Sequence, residues 1–135
     1  AEKVRNSARE NQRVLYRKSK SDYVNAIAEV GGRFDIVIID GKYRPECARR
    51  LPEAIKEDGM VILDNSDRFK KTSKYIREEL DLIQVDFHGF GPTNPFTTTT
   101  SIFFSRKVNL RPNSGELPCY AIGGLEHELG LEEDF

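Results

Sequence analysis

The pattern of apolar and polar positions along the chain predicts strands and helices in alternation. Short apolar runs are typical of strands, and segments with apolar residues at helical spacing lie around them. The strands are predicted at residues 12–18, 34–40, 60–63, 82–87 and 99–104, and the helices at 2–11, 21–30, 45–55 and 69–80. This alternation is typical of an α/β sheet with right-handed crossovers. No helix separates the last two strands, which predicts an antiparallel hairpin at the edge of the sheet.

Turn and cap residues set the predicted ends of these elements. Ser21 is predicted to cap the helix that ends at Gly31. Pro45 suits the first turn of the following helix, whereas Pro52 is expected to kink it. The Asp-Gly pair at 58–59 predicts a turn before the next strand.

Composition limits the class of protein. The chain has 135 residues, of which 32% are charged and 10% aromatic, so we expect one globular domain. No apolar run approaches the about 20 residues that a membrane span needs, and the first residues have no apolar core of a signal peptide. Cys47 and Cys119 are isolated, which is typical of neither a disulfide framework nor a zinc site. We therefore expect a cytoplasmic protein.

The charge is distributed unevenly although the net charge is only -1. Residues 1–111 contain all 21 Lys and Arg together with 16 acidic residues, a net charge of +5, whereas the remainder holds six acidic residues. We divide the chain into an α/β domain at 1–107 and an acidic tail with Gly and Pro at 108–135. The tail is expected to be extended or mobile, with docking through Leu117, Tyr120 and Ile122 as one option. Because the basic residues are interleaved with acidic ones, a nucleic-acid partner is not favoured.

Candidate chemistry follows two of the predicted strands. Asp40 ends the nearly continuous apolar run at 34–40, which predicts a strand buried on both faces, and Asp64 and Asn65 follow the next strand. Ligands of open α/β sheets bind at the carboxyl ends of strands, and three such oxygen ligands suit Mg²⁺, Ca²⁺ or Mn²⁺. Lys42 lies close by as a candidate base or anion partner. The alternative is that these residues form turns and helix caps.

The segments FDIVIIDGKYRPEC at 34–47 and LPEAIKEDGMVILDNSD at 51–67 resemble the central part of class I S-adenosylmethionine-dependent methyltransferases. The segment from DFHGFGP to TTTTSIFFSRK, at 86–107, is similar to the terminal hairpin of that family. The resemblance covers residues 1–107. It implies a Rossmann-like three-layer, mostly parallel sheet whose N-terminal strands are missing here. The family's strand order is 3-2-1-4-5-7-6.

Within this family the chain is most similar to the metal-dependent O-methyltransferases of the catechol and caffeoyl-CoA kind. The resemblance implies that Asp40, Asp64 and Asn65 hold a divalent metal, and that Lys42 removes a proton from the acceptor. His88, in a predicted loop at 88–95, is a second candidate base. Candidate cofactor-binding residues are Ser19, Asp22, Asp40 and Gly41.

The chain also departs from the family. The glycine-rich loop that holds the methionine end of the cofactor, and the acidic residue that binds its ribose, have no counterpart in it. Without the family's first strands, the strand at 34–40 would have a free edge. We expect this edge to pair with residues 12–18 or with a second copy in a homodimer.

Two functions from different classes follow from these observations. The first is methyl transfer from S-adenosylmethionine to a hydroxyl of a small molecule, assisted by a divalent metal. The alternative is a non-catalytic, dimeric α/β binding module or a fragment of one. A third and weaker hypothesis is an anion or nucleic-acid binder that uses basic residues near the N-terminus, among them Arg5 and Arg9.

Overall fold

The computed structural model describes residues 10–91 and 95–111, which form an α/β arrangement of short helices and one four-stranded mixed sheet. No helix in these two ranges is long and apolar enough to cross a membrane. The predicted helix at 2–11, apart from its last two residues, and the tail beyond residue 111 lie outside the described residues. The elements are α1 (Lys20–Val30), β1 (Phe34–Ile39), α2 (Arg44–Ala48), α3 (Leu51–Ala54), β2 (Ile55–Leu63), α4 (Lys70–Lys74, continued by a π-helical turn at Tyr75–Glu79), β3 (Ile83–Phe90) and β4 (Thr97–Phe104).

The strand order across the sheet is β1-β2-β4-β3. β1 and β2 are parallel, with Val37 opposite Val61, while β4 is antiparallel to both of its neighbours. The predicted antiparallel hairpin of β3 and β4 is therefore confirmed. Its second strand lies between β2 and β3, so only β3 forms the edge on that side.

Helix α1 begins after a serine that caps it and ends at a glycine. Ser19, and not Ser21, is the N-cap, because its Oγ accepts a hydrogen bond of 3.1 Å from the backbone N–H of Asp22. Gly31 ends the helix with a φ of 74°, a conformation that side chains disfavour. The predicted end of this helix is confirmed, and its predicted cap was wrong by two residues.

The predicted helix at 45–55 is divided into α2 and α3. Pro45 lies in the first turn of α2, and Pro52 lies in the first turn of α3. Proline lacks the backbone N–H that a continuous helix would need at position 52, so a new helix begins there. The interruption predicted from Pro52 is thus confirmed.

Three predictions of local structure were wrong. Residues 12–18 form no strand, and Arg17 binds Glu29 of α1. The Asp-Gly pair at 58–59 lies inside β2, because the Ser105 N–H donates to the Gly59 carbonyl and keeps the backbone extended. His88 lies in β3 and not in a loop, since the pairing with β4 continues to Phe90.

The core lies on one face of the sheet. Buried side chains of the strands alternate with exposed ones, and the buried set packs against the helices. The core consists of Val37, Ile39, Val61, Leu63, Phe103, Leu82, Ala48, Leu51, Ala54 and Ile76. The helices of the described ranges therefore form a single layer on this face, and a three-layer arrangement is not seen there.

The opposite face of the sheet is apolar and exposed, and we call it the open face. Ile38 of β1 is 65% exposed and Phe87 of β3 is 56% exposed, so the prediction that the strand at 34–40 is buried on both faces was wrong. The strand register places nine large apolar residues on this face: Ile36, Ile38, Met60, Ile62, Ile83, Val85, Phe87, Ile102 and Phe104.

We expect the replacement of Phe103 by alanine to destabilise the fold by about 3–5 kcal/mol, because the ring is fully buried in the core. Phe90→Ala is the matched control, since this ring lies at the end of β3 and is 77% exposed. Its effect should be within about 0.5 kcal/mol. Urea unfolding of both variants measures the difference, and equal losses would contradict the assigned core face.

Candidate functional site

The carboxyl ends of β1 and β2 lie side by side, joined by a hydrogen bond of 3.2 Å from the Asp64 N–H to the Ile39 carbonyl. This neighbourhood brings Asp40, Asp64 and Asn65 together, as their positions after the two strands predicted. Asn65 adopts a left-handed backbone conformation with a φ of 51°, which asparagine tolerates better than most residues. All three side chains are in contact with the guanidinium of Arg44.

Arg44, the first residue of α2, uses every N–H of its guanidinium within the protein. Nε donates to the carbonyl of Gly41, at 3.0 Å. Nη2 donates to the carbonyl and to Oδ1 of Asp40, at 3.1 and 2.9 Å. Nη1 donates to the carbonyl of Asp64 and to Oδ1 of Asn65. A guanidinium has five N–H donors, so none is left for a ligand.

The residues predicted to hold a metal do not fit one in this arrangement. Their side-chain oxygens are directed at the Arg44 guanidinium, so a divalent cation in the same place would be next to a positive charge. Among the described residues there is also no group of three or more His, Cys, Asp or Glu side chains that could hold a metal ion. The metal site stays a prediction, and we derive no chemical step from it.

Asp64 is ionised in this setting. Partial burial by itself raises the pKa of its carboxyl group. Hydrogen bonds outweigh burial, first among them the 2.7 Å bond from the Thr100 hydroxyl, and the charge of Arg44 adds a smaller effect, so the pKa lies below its ordinary value. The carboxylate thus links the loop after β2 to β4.

Arg44 is the residue of this site that the sequence analysis missed. Its side chain is only 12% exposed and lies over the ring of Phe69, 5.1 Å from the ring centroid. The two carboxylates could have predicted it, because two acidic side chains at the ends of neighbouring strands favour a cation close to both. Lys42 and Arg44 both follow Asp40 within four residues, and Arg44 is the one that lies in the first turn of the next helix.

The four predicted cofactor-binding residues lie in two places. Ser19 and Asp22 form the start of α1, where the Ser19 hydroxyl caps the helix. Asp40 and Gly41 line a cleft of about 240 Å³ between α1 and the end of β1. This volume is below the range of about 300–1,000 Å³ typical of ligand pockets, so the cleft would hold only part of a cofactor. Its other lining residues include Tyr23, Val24, Ile27, Ile38 and Lys42.

Tyr23 closes one side of this cleft. Its ring packs edge-on against Tyr43, with 5.8 Å between ring centroids, and Lys20 lies over the Tyr43 ring. A Cβ atom added at Gly41 would overlap the Tyr23 hydroxyl oxygen. Glycine at position 41 therefore allows the tyrosine to lie directly against the loop after β1.

The two candidate bases are not brought together. Lys42 follows β1 at one edge of the sheet, and its amine makes no hydrogen bond or ion pair with the rest of residues 10–91 and 95–111. His88 lies on β3 at the other edge, with its Nδ1 2.8 Å from Oγ1 of Thr99. Three strand spacings, about 14 Å, separate these edges. The two candidate bases therefore start from opposite edges of the sheet.

We expect Arg44→Ala to destabilise the fold by about 2–3 kcal/mol, because it leaves backbone carbonyls and two carboxylates without their cation. Arg44→Lys should recover only part of this loss, since an ammonium has three donors. Arg49→Ala is the control and should have little effect, because the Arg49 side chain makes no hydrogen bond or ion pair in the described ranges. Urea unfolding compares them. Similar losses for Arg44→Ala and Arg49→Ala would refute the role of Arg44 as a clamp, by which we mean the side chain that joins the loops after β1 and β2.

We expect Gly41→Ala to destabilise the fold by about 1–3 kcal/mol through the clash with the Tyr23 hydroxyl. In a Tyr23→Phe background the hydroxyl is absent, and the nearest ring atom lies 3.4 Å from the new methyl group. The same glycine replacement should then cost much less. A double-mutant cycle by thermal unfolding measures this coupling, and additive effects would show that the two residues do not touch.

The comparisons with known proteins identify no relative of this chain. No protein-family model matches it, and neither a curated protein nor a solved structure matches it either. Functional inference therefore depends on the strand order, on the Arg44 cluster and on the cleft beside Gly41.

Proposed function

We propose that this chain is a methyltransferase-like domain that takes part in the transfer of a methyl group from S-adenosylmethionine to a hydroxyl of a small molecule. The observation that carries the proposal is the strand order β1-β2-β4-β3, with only β4 antiparallel to the rest. It corresponds to 4-5-7-6, the second part of the sheet order of class I methyltransferases. Fold similarity alone does not establish function, so the cleft must also be considered.

The cleft beside β1 offers two kinds of surface to a bound cofactor. Val24, Ile27 and Ile38 supply apolar contacts suited to a flat ring, while Asp40 and Lys42 supply charges at the carboxyl end of the strand. Its small volume fits one part of S-adenosylmethionine. When bound, this cofactor supplies an electrophilic methyl group.

Lys42 is the candidate for proton removal that lies nearest to this cleft. Its amine has no partner in the described ranges, and it lines the cleft together with Gly41. As the base of the proposed reaction, the amine would accept the proton of the acceptor hydroxyl. His88 lies at the far edge of the sheet and does not line this cleft.

The second candidate function is a binding module without catalysis. The observation that favours it is Arg44, which engages the oxygens that a catalytic metal would need. Such a module would keep the cleft as a ligand site and would require no metal. We keep a homodimer through the free edge of β1 as part of this alternative, since within the described ranges β1 pairs only with β2.

Isothermal titration calorimetry of the full chain with S-adenosylmethionine tests the proposed function. We expect saturable one-to-one binding that neither Mg²⁺ nor a chelator changes, because Arg44 already neutralises the carboxylates. Ile38→Asp, in the wall of the cleft, should weaken binding by about tenfold or more, about 1.4 kcal/mol.

Ile83→Asp is the matched control for this titration. It changes the same residue type on the same open face, but on β3 and outside the cleft, so the affinity should stay unchanged. Absence of heat up to millimolar cofactor would overturn the proposed function for this chain. Binding that requires Mg²⁺ would show that the metal displaces Arg44 and would restore the predicted metal site.

A further inference from the structure

The open face is an apolar surface without a covering layer in the described part of the chain. Nine large apolar side chains from all four strands lie on it, and five of them are exposed: Ile36, Ile38, Ile83, Val85 and Phe87. Contiguous apolar patches of a few hundred Å² are often interaction sites. The question is what covers the open face.

We propose that the acidic C-terminal segment of this chain, residues 112–135, docks on the open face and covers it. This inference does not depend on the proposed methyl transfer. It follows from the position and length of the segment, from its composition and charge, and from the size of the face.

The segment follows β4 closely in the sequence and is long enough to cross the open face. β4 ends at Phe104, whose ring belongs to the open face, and the described chain ends seven residues later at Arg111. The 24 remaining residues could span up to about 80 Å when extended. The face itself measures only about 19 by 17 Å, from the spacing of four strands and the rise of five residues.

The composition of the segment is complementary to the surface. It contains large apolar residues at short intervals, namely Leu117, Tyr120, Ile122, Leu125, Leu129, Leu131 and Phe135. It contains six acidic residues and no Lys or Arg, whereas residues 10–111 carry 18 basic and 15 acidic residues. Burial of the apolar side chains would provide the attraction, and opposite net charges would favour the encounter.

A second copy of the chain is a weaker candidate for this face. From the strand spacing, one open face offers roughly 300 Å² of flat area, so a face-to-face pair would bury about 600 Å². Stable interfaces bury about 1,200–2,000 Å² in total. The tail is tethered to the same molecule, which gives it an effective concentration in the millimolar range or above.

Cross-linking to the natural Cys119 tests the proposal in the full-length chain. In a Cys47→Ala background, one cysteine is placed on the open face as Ile38→Cys, Ile62→Cys or Val85→Cys. Control cysteines, Arg49→Cys and Lys71→Cys, are exposed positions of the helical layer. A short bis-maleimide then joins pairs of thiols that lie close together.

We expect at least one open-face cysteine to form an intramolecular link to Cys119 about tenfold faster than both controls, because docking raises the local concentration. The double variant Ile122→Asp and Leu125→Asp should abolish this preference, whereas Glu126→Gln should keep it. Equal rates at all five positions would overturn the proposal. Links that form only between two molecules would also overturn it and would identify a second copy as the occupant.

Discussion

The guanidinium of Arg44 joins the two loops that follow β1 and β2, and the rest of the site depends on the position of these loops. β1 and β2 run parallel, so the loops after them emerge side by side and leave carbonyls and carboxylates without strand partners. Arg44 satisfies three of these carbonyls and binds the side chains of Asp40 and Asn65. A lysine or a water could not satisfy five acceptors at once. The clamp therefore fixes the geometry of both loops.

The sequence was sufficient for the parts of the fold that local residues decide. The β-branched runs correctly predicted β1 and the end of β2, and Gly31 correctly predicted the end of α1. In both cases the structure is decided by residues that are close together in the sequence. It was insufficient at 58–59, where pairing to a residue almost fifty positions away keeps the backbone extended. Arg44 was missed for a similar reason, since its acceptors come from two loops some twenty residues apart.

Alternation in burial explains why the sheet has two unequal faces. The apolar run at 36–39 supplies apolar side chains to both faces of the sheet, so it does not predict which face the helices cover. In the structure the helices cover the face of Val37 and Ile39, and the residues between them stay exposed. The open face therefore carries large apolar side chains that the helices of the described ranges leave exposed.

The clamp also restricts where a ligand can bind at this edge. A ligand that took a donor from Arg44 would leave a carbonyl or a carboxylate without its partner, at a cost of about 1–3 kcal/mol. Binding is therefore favoured beside Arg44, against Lys42, whose amine has no partner in the described ranges. Because Asp64 is held by Thr100 as well as by Arg44, it acts as a support of the loop and not as a free acceptor. Selectivity at this edge must then come from the apolar wall of the cleft.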